Sequence, residues 1–358
     1  MKKIVFTGGG TAGHVTPNLA LFDFFDRKEW DIHYIGSKDG IEKQLLSGLE
    51  YLTYHAIDAG KLRRYVSLKN ITDPLRVIKG YAESKKILNA IKPDVVFSKG
   101  GYVSVPVVAA ARGICPVICH ESDYTPGLAN RLAAQFADSV CVTFEDTLPF
   151  IKDGKGIWTG TPVRRELLSG NREKGLAFTG LSGNKPILLC MGGSQGAQAV
   201  NDSIRTALPE LLEQFDVVHL CGKGKTDPNS SYTGYVQYEY VSDEMKDIFA
   251  IADVVLSRAG ANSVFELLAL HKPSVLIPLP LEASRGDQIL NAKYFEKKGY
   301  ALHLDQHKMN ARSLCDSVNY VYNNRTQYIE SMCSCKNSNG NEIIYKMICD
   351  AAYTHDNH

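Results

Sequence analysis

The run Gly8-Gly9-Gly10-Thr11-Ala12-Gly13-His14 concentrates more chemical potential than any other short stretch of the chain. Lys3–Thr7 ahead of it reads as a buried strand, and Asn18–Phe25 after it reads as an apolar helix. Glycines between a strand and a helix let a ligand approach bare backbone N–H groups. The helix start adds unpaired donors and a partial positive charge, so the expected guest is a phosphate or pyrophosphate. His14 sits at the mouth of the loop. The spacing Gly8-x-Gly10-x-x-Gly13 also satisfies the dinucleotide fingerprint. A nicotinamide or flavin cofactor, or a plain connecting loop, therefore remains open on this stretch alone.

Other polar sets recur after apolar runs. Gly192-Gly193-Ser194-Gln195-Gly196-Ala197 is a second strand-to-helix glycine loop carrying a hydroxyl. The turn Arg258 to Glu266 contains Gly260, Ala261, Asn262 and Ser263. A helix beginning near Ala261 places Asn262 and Glu266 one turn apart, so the carboxylate can accept ribose hydroxyls while backbone amides take phosphate. Asp287, Gln288 and Asn291 follow a buried strand and suit sugar hydroxyls; an N-cap role accounts for Asp287 alone. His120-Glu121-Ser122-Asp123 invites a metal reading, but converging ligands are needed and four adjacent residues seldom supply them. The chain has no Asp-x-Asp pair, so no metal–diphosphate site of that kind is indicated. A leaving diphosphate would rest on Arg164, helix starts and hydroxyls.

The elements that must position these residues alternate between short apolar strands and helices. Strands are expected at Ile4–Thr7, Ile32–Ile35, Val95–Ser98, Val117–Cys119, Ser139–Thr143 and near Ile157–Trp158. In the second half they are expected at Ile187–Met191, Val217–Cys221, Val254–Ser257, Ser274–Ile277 and Ala301–Leu304. Such alternation predicts parallel sheets covered by helices on both faces. A break rich in Gly, Arg, Lys and Ser near Gly160–Lys185 predicts two sets of strands. The two sets look alike: Asp94-Val-Val-Phe-Ser-Lys-Gly-Gly matches Asp253-Val-Val-Leu-Ser-Arg-Ala-Gly in step. Two such domains facing across a cleft would place their loops at the carboxyl ends of the strands, where α/β sheets bind ligands.

Composition narrows the classes. The chain has 358 residues, 44% of them hydrophobic and 22% charged, with a formal charge of +1, so no global field marks a nucleic-acid binder. Nine cysteines without zinc spacing fit a reducing cytoplasm, and neither a secretion signal nor an apolar run long enough to span a membrane is seen. The segment Asp58–Lys92 interleaves cations such as Lys61, Arg63, Arg64, Arg76 and Lys79 with Leu62, Tyr65, Leu75, Ile78 and Tyr81. That mixture suits an anionic membrane surface, and taken alone it suits better an ordinary helix with an apolar stripe on a sheet.

Taken in order, Gly9-Gly10-Thr11-Ala12-Gly13-His14-x-x-Pro17, Gly100-Gly101-Tyr102, His120-Glu121, Gly192 to Ala197, Ser257-Arg258-Ala259-Gly260-Ala261 and Asp287-Gln288-x-x-Asn291-Ala resemble the MurG family across nearly the whole chain. The resemblance implies an α/β fold of the GT-B type, with two Rossmann-like, doubly wound domains. Residues 1–160 would face the acceptor and membrane, with a C-terminal helix at about 336–358 packing back on them. Residues 161–335 would hold the UDP-sugar. It implies an inverting transfer of GlcNAc from UDP-GlcNAc to the 4-hydroxyl of the MurNAc of lipid I, giving lipid II, at the cytoplasmic face of the membrane. No tightly bound cofactor or metal is expected. By the resemblance, Arg164, Ser194, Glu266 and Gln288 match donor-binding positions, and Thr11, Ala12 and Gly13 match the loop facing the diphosphate and sugar. The backbone near Val241 matches the uracil contact. Asp123, Ala261, Asn262, Ser263 and Asn291 complete the expected donor set, and Gly10, Thr11, His14, Gly101 and Tyr102 the acceptor diphosphate set. His14 is the expected general base, with Glu121 and Asp123 in reserve. Two departures stand out: Ser122-Asp123 replaces a Gln-Asn found in some members, and Ala12 replaces a common glycine. The competing expectations are another UDP-sugar-dependent lipid glycosyltransferase, a nicotinamide-dependent dehydrogenase and a non-catalytic sugar-nucleotide sensor.

Overall fold

The computed structural model of the chain describes residues 1–60, 69–192 and 197–354. Ser194 with its neighbours Gly193, Gln195 and Gly196, and the residues Lys61 to Leu68, lie outside the described residues, as do the side chains of 69–74. The chain divides into two compact units, Met1–Val163 with Asn339–His358, and Arg164–Ser338.

The first unit is built on seven parallel strands: β1 (Lys2–Thr7), β2 (Trp30–Ser37), β3 (Leu52–Ile57), β4 (Val95–Ser98), β5 (Val117–Glu121), β6 (Ser139–Val142) and β7 (Gly156–Trp158), in the order β3-β2-β1-β4-β5-β6-β7. The second has β8 (Ile187–Met191), β9 (Asp216–Leu220), β10 (Tyr235–Tyr238), β11 (Val254–Ser257), β12 (Ser274–Leu276) and β13 (Leu302–His303), in the order β10-β9-β8-β11-β12-β13. Both sheets turn back on themselves at one place, between β1 and β4 and between β8 and β11. These are two doubly wound sheets of one topology, the Rossmann-like pair of the GT-B fold.

The internal repeat has a physical cause. The Asp94 carboxylate accepts from the Lys3 amide at 2.6 Å while its own N–H donates to the Lys3 carbonyl at 2.8 Å. Asp253 repeats both contacts with Ile187, at 2.8 and 2.9 Å. Each aspartate thus sets the register of the strand pair at the switch point, Ile4 against Val95 and Leu188 against Val254. The Val-Val that follows enters a fully buried interior. Strands buried on both faces carry continuous apolar runs, and this made them legible.

Two strands escaped the sequence reading, β3 and β10. Each is an outer strand of its sheet, half-exposed, and interrupted by Thr, His or Gln, so no clean apolar run marks it. The expected Asn18–Phe25 helix instead runs Thr16–Phe22, preceded by a 3-10 turn at Ala12–His14. Pro17 starts it early, because its fixed φ suits the first helical turn, where no N–H is needed. The C-terminal helix Asn341–Thr354 belongs to the first unit, burying Ile344, Ile348 and Ala352 beside Ile4, Phe6 and Phe22.

The helix Lys69–Ile91 modifies the reading of the basic segment. Asp58 is gripped by Lys79 at 2.5 Å, Lys38 at 3.2 Å and Arg76 at 3.6 Å, and the bonds from Lys79 and Lys38 hold its carboxyl down at about 2. Arg76 and Lys79 therefore serve a pairing network within the unit. Among the described side chains of this helix, Leu75, Ile78 and Tyr81 are the exposed apolar ones.

Candidate functional site

In the first unit, the residues expected to act together converge at the carboxyl ends of β1, β4 and β5. Gly9 N–H donates to the Gly100 carbonyl at 3.3 Å, tying the two loops that flank the switch point. Gly101 takes φ +86°, and a Cβ there would collide with the Gly9 carbonyl and come within 3.2 Å of His14 Nδ1. Gly10 takes φ +87°, with the Tyr102 ring 2.5 Å from where its Cβ would be. These positions require glycine on both counts: positive φ and absence of a side chain. His14 Nδ1 lies 2.9 Å from Thr11 Oγ1. Gly10, Thr11, His14, Gly101 and Tyr102 thus share one small region. Ala12 lies in the 3-10 turn and is not among the positive-φ residues, so the departure from glycine there carries no strain.

One expectation changes. Gly10 N–H donates to Glu42 Oε2 at 3.3 Å, and Glu42, fully buried, also accepts from Ser37 N–H at 2.9 Å. The Gly10 amide is committed to the protein, so this residue shapes the loop instead of offering its N–H to a guest. Sequence reading missed Glu42, which sits on a helix 32 residues away, with no motif to mark it.

At the end of β5, Glu121 is buried and accepts from Asp123 N–H at 2.9 Å, Gly127 N–H at 3.1 Å and Asn130 Nδ2 at 2.8 Å. Burial, with Asp123 adding to it, pushes its carboxyl up to about 7. His120 is also buried; its Nε2 lies 2.9 Å from the Gly160 carbonyl and its Nδ1 2.8 Å from Lys99 Nζ. Nε2 must donate to the carbonyl, so Nδ1 accepts from the lysine. Burial and the Lys99 charge hold His120 well below its ordinary range, which suits this neutral tautomer. Lys99, which the sequence reading passed over, also bonds Ser122 Oγ. No group of His, Cys, Asp and Glu with metal-holding geometry occurs among the described residues. Glu121 and His120 are engaged as donors and acceptors, and the metal reading of this cluster finds no support.

In the second unit, Arg164 Nε donates to Glu266 Oε1 at 2.9 Å. Both line a pocket with Val241, Ser263, Met191, Leu220, Tyr240, Met245 and Phe249. Met191 and Leu220 end β8 and β9, and Ser263 and Glu266 lie on the helix Ala261–Ala269 that follows β11, so the pocket sits at the switch point. Burial raises the Glu266 carboxyl while Arg164 opposes it. Ala261, Asn262 and Ser263 form the first turn of that helix behind Gly260. Met245 and Phe249 come from a helix without polar residues at the pocket, so chemistry-seeking sequence reading had no reason to select them. Gln288 lies on the first turn of the helix Asp287–Lys297, its Oε1 accepting from Leu279 N–H at 3.1 Å.

Two expectations on that helix are corrected. Asn291 is fully buried and its Nδ2 donates to the Ala259 carbonyl at 3.0 Å, so it braces the turn before Ala261 and does not reach a sugar hydroxyl. The N-cap is Gly286 at φ +87°, and Asp287 pairs with Arg285 at 2.7 Å. Arg258 likewise braces, donating to the carbonyls of Ile277 and Pro278, both at 3.1 Å.

Comparison with known proteins meets this geometry. The N-terminal domain of glycosyltransferase family 28 matches residues 4–142 and its C-terminal domain residues 187–346. The UDP-N-acetylglucosamine--N-acetylmuramyl-(pentapeptide) pyrophosphoryl-undecaprenol N-acetylglucosamine transferase of Lachnoclostridium phytofermentans is 54% identical over 97% of this chain and 98% of its own length. The chain belongs to the MurG family. The enzyme of the same name from Clostridium tetani is 51% identical over 97% of both chains. The crystal structure of Acinetobacter baumannii MurG superimposes with a TM-score of 0.78, at 24% identity, over 98% of this chain and all of that one. On the twin sheets of the MurG fold, the loops after the first and fourth strands carry part of each set: Gly10, Thr11, His14, Gly101 and Tyr102 in one, Met191, Ser263 and Glu266 in the other.

Proposed function

We propose that this chain transfers GlcNAc from UDP-GlcNAc to the 4-hydroxyl of the MurNAc of lipid I, releasing UDP and forming lipid II. One observation carries the reading: Arg164, Val241, Ser263 and Glu266, separated in sequence, line a single pocket at the β8/β11 switch point, in a MurG-family chain.

The second unit holds the donor. Glu266 is already partly desolvated and oriented by Arg164, so it can accept both ribose hydroxyls without reorganising. The uracil lies against Val241. The start of the helix at Ala261 offers N–H groups and a partial positive charge to the diphosphate, and Arg164, Ser194 and Gln288 complete the hold. Charge that develops on the leaving UDP is met by these groups; no tightly bound cofactor is needed in this scheme.

The first unit holds the acceptor diphosphate through Thr11, Gly13 and the Gly101-Tyr102 turn. The 4-hydroxyl oxygen attacks C1 of GlcNAc as the C1–O bond to phosphate breaks, and the configuration inverts. His14 takes the hydroxyl proton. That role requires the tautomer in which Nδ1–H donates to Thr11 Oγ1, leaving the Nε2 lone pair for the substrate.

The enzyme works peripherally at the cytoplasmic face of the membrane. Exposed Leu75, Ile78 and Tyr81 support contact through residues 58–92, and no helix among the described residues is long and apolar enough to cross a bilayer. A nicotinamide-binding reading predicts a shift in melting temperature with NADH. The transferase reading predicts one with UDP-GlcNAc, together with UDP release that depends on a lipid I analogue. Release of UDP without an acceptor, or stabilisation by NADH alone, would refute it.

A further inference from the structure

Lys99 is fully buried at the exit of β4, and it touches two other strand ends. Its N–H donates to the Thr7 carbonyl of β1 at 2.9 Å, and its Cβ lies 3.3 Å from where a Gly8 Cβ would be. Its Nζ reaches His120 Nδ1 at 2.8 Å and Ser122 Oγ at the end of β5. Through His120 Nε2 the chain of bonds continues to the Gly160 carbonyl just past β7. An amine with no exposure is expensive to keep charged, and burial draws it down to about 7; the carboxylates of Glu121 and Asp123 are the groups that favour its charge. The Asp123 carboxylate and the buried Glu121 carboxyl group thus lie on one turn with a buried amine beneath it, immediately behind loops that are to receive an anionic diphosphate.

We propose that Lys99 is a positioning residue that offsets the Asp123 carboxylate, so that the 121–123 turn can face an anionic acceptor. The inference rests on the reading of the first unit as the acceptor site. A carboxylate beside a diphosphate repels it; a buried ammonium at the base of the same turn cancels that field and pins the turn through Ser122. The hydrogen bond to His120 alone does not require a charge. Substitution by an uncharged donor therefore separates the two contributions.

The test measures acceptor kinetics with a soluble, short-chain lipid I analogue for the full chain and for Lys99→Met, Lys99→Gln, Asp123→Asn and Lys99→Met/Asp123→Asn. Lys99→Met should lower acceptor kcat/KM at least tenfold, mostly through KM, while the KM for UDP-GlcNAc changes less than twofold. Lys99→Gln, which can still donate to His120, should be impaired as much as Lys99→Met, and it serves in its place if that variant does not fold. The double variant should recover to within about threefold of Asp123→Asn. A merely structural lysine would show no such rescue. Loss that Asp123→Asn does not relieve, full activity in Lys99→Gln, or acceptor kcat/KM within twofold of wild type in Lys99→Met overturns the assignment. A wild-type enzyme that transfers nothing overturns instead the reading on which it rests.

Discussion

Arg164 and Glu266 lie 102 residues apart in sequence, and Arg164 Nε meets Glu266 Oε1 at 2.9 Å. Glu266 is the more buried partner, and desolvation raises its carboxyl against the pull of the guanidinium. The pair thus presents a partly desolvated carboxylate with one lone pair already occupied and its direction fixed. Hydrogen bonds to a charged group contribute roughly 1.5–3 kcal/mol. Glu266→Ala should therefore raise the KM for UDP-GlcNAc by about 10- to 100-fold, with the KM for the acceptor unchanged. Steady-state kinetics with each substrate varied in turn checks this. Arg164→Met should act in the same direction, because it leaves a partly buried carboxylate without its cation.

The Thr11–His14 contact makes a prediction about protons. If Nδ1–H donates to Thr11, His14→Ala should cut kcat by about 10²–10⁴-fold, the usual contribution of a general base. Thr11→Val should lose part of that rate by freeing the tautomer, with little change in UDP-GlcNAc binding. A fall of less than about tenfold in His14→Ala removes the base assignment and leaves His14 as a ligand of the diphosphate.

Glu121 links stability to pH. Its folded value is raised from 4.5 to about 7 by burial and Asp123. The folded chain thus keeps a proton that the unfolded chain has released between these values. The associated stabilisation is fully present below about 4.5 and lost as pH rises through about 7. Glu121→Gln cannot titrate, so its melting temperature relative to wild type should climb between pH 4.5 and 7 and level off above. The constant offset from altered hydrogen bonds to Asp123 and Gly127 does not enter the slope. A difference that is flat across this range contradicts the assignment.

Gly101 and Gly113 separate backbone strain from site geometry. Both have positive φ, +86° and +77°, but a Cβ at Gly113 meets nothing within 4 Å, whereas one at Gly101 strikes the Gly9 carbonyl and crowds His14. Gly113→Ala should cost about 1 kcal/mol of stability and leave turnover intact. Gly101→Ala should lower turnover by about 100-fold, the scale of a misplaced catalytic group. Denaturant melts paired with turnover rates distinguish the two.

Much of this was legible in the residues because the strands at the switch points are buried on both faces and announce themselves as Val- and Ile-rich runs between glycine turns. The repeated Asp-Val-Val was readable as likeness; its cause, a carboxylate clamping the neighbouring strand's amide, was visible only in three dimensions. Asn291 illustrates the opposite limit. A polar residue beside a glycine turn has the same appearance in sequence whether it faces a ligand or, as here, a buried carbonyl at Ala259. Glu42 and Lys99 were invisible for a related reason: a lone charged residue in a helix or at a strand end is ordinarily solvated, and its burial depends on packing from distant segments.

The most direct test of the central claim is product analysis after incubation of the protein with labelled UDP-GlcNAc and a lipid I analogue. The account predicts one UDP released for each GlcNAc–MurNAc disaccharide formed, with the new linkage on the MurNAc 4-hydroxyl and the anomeric centre inverted to β. An α-linked product, label recovered as free GlcNAc, or a reduced or oxidised sugar in place of a disaccharide would contradict it.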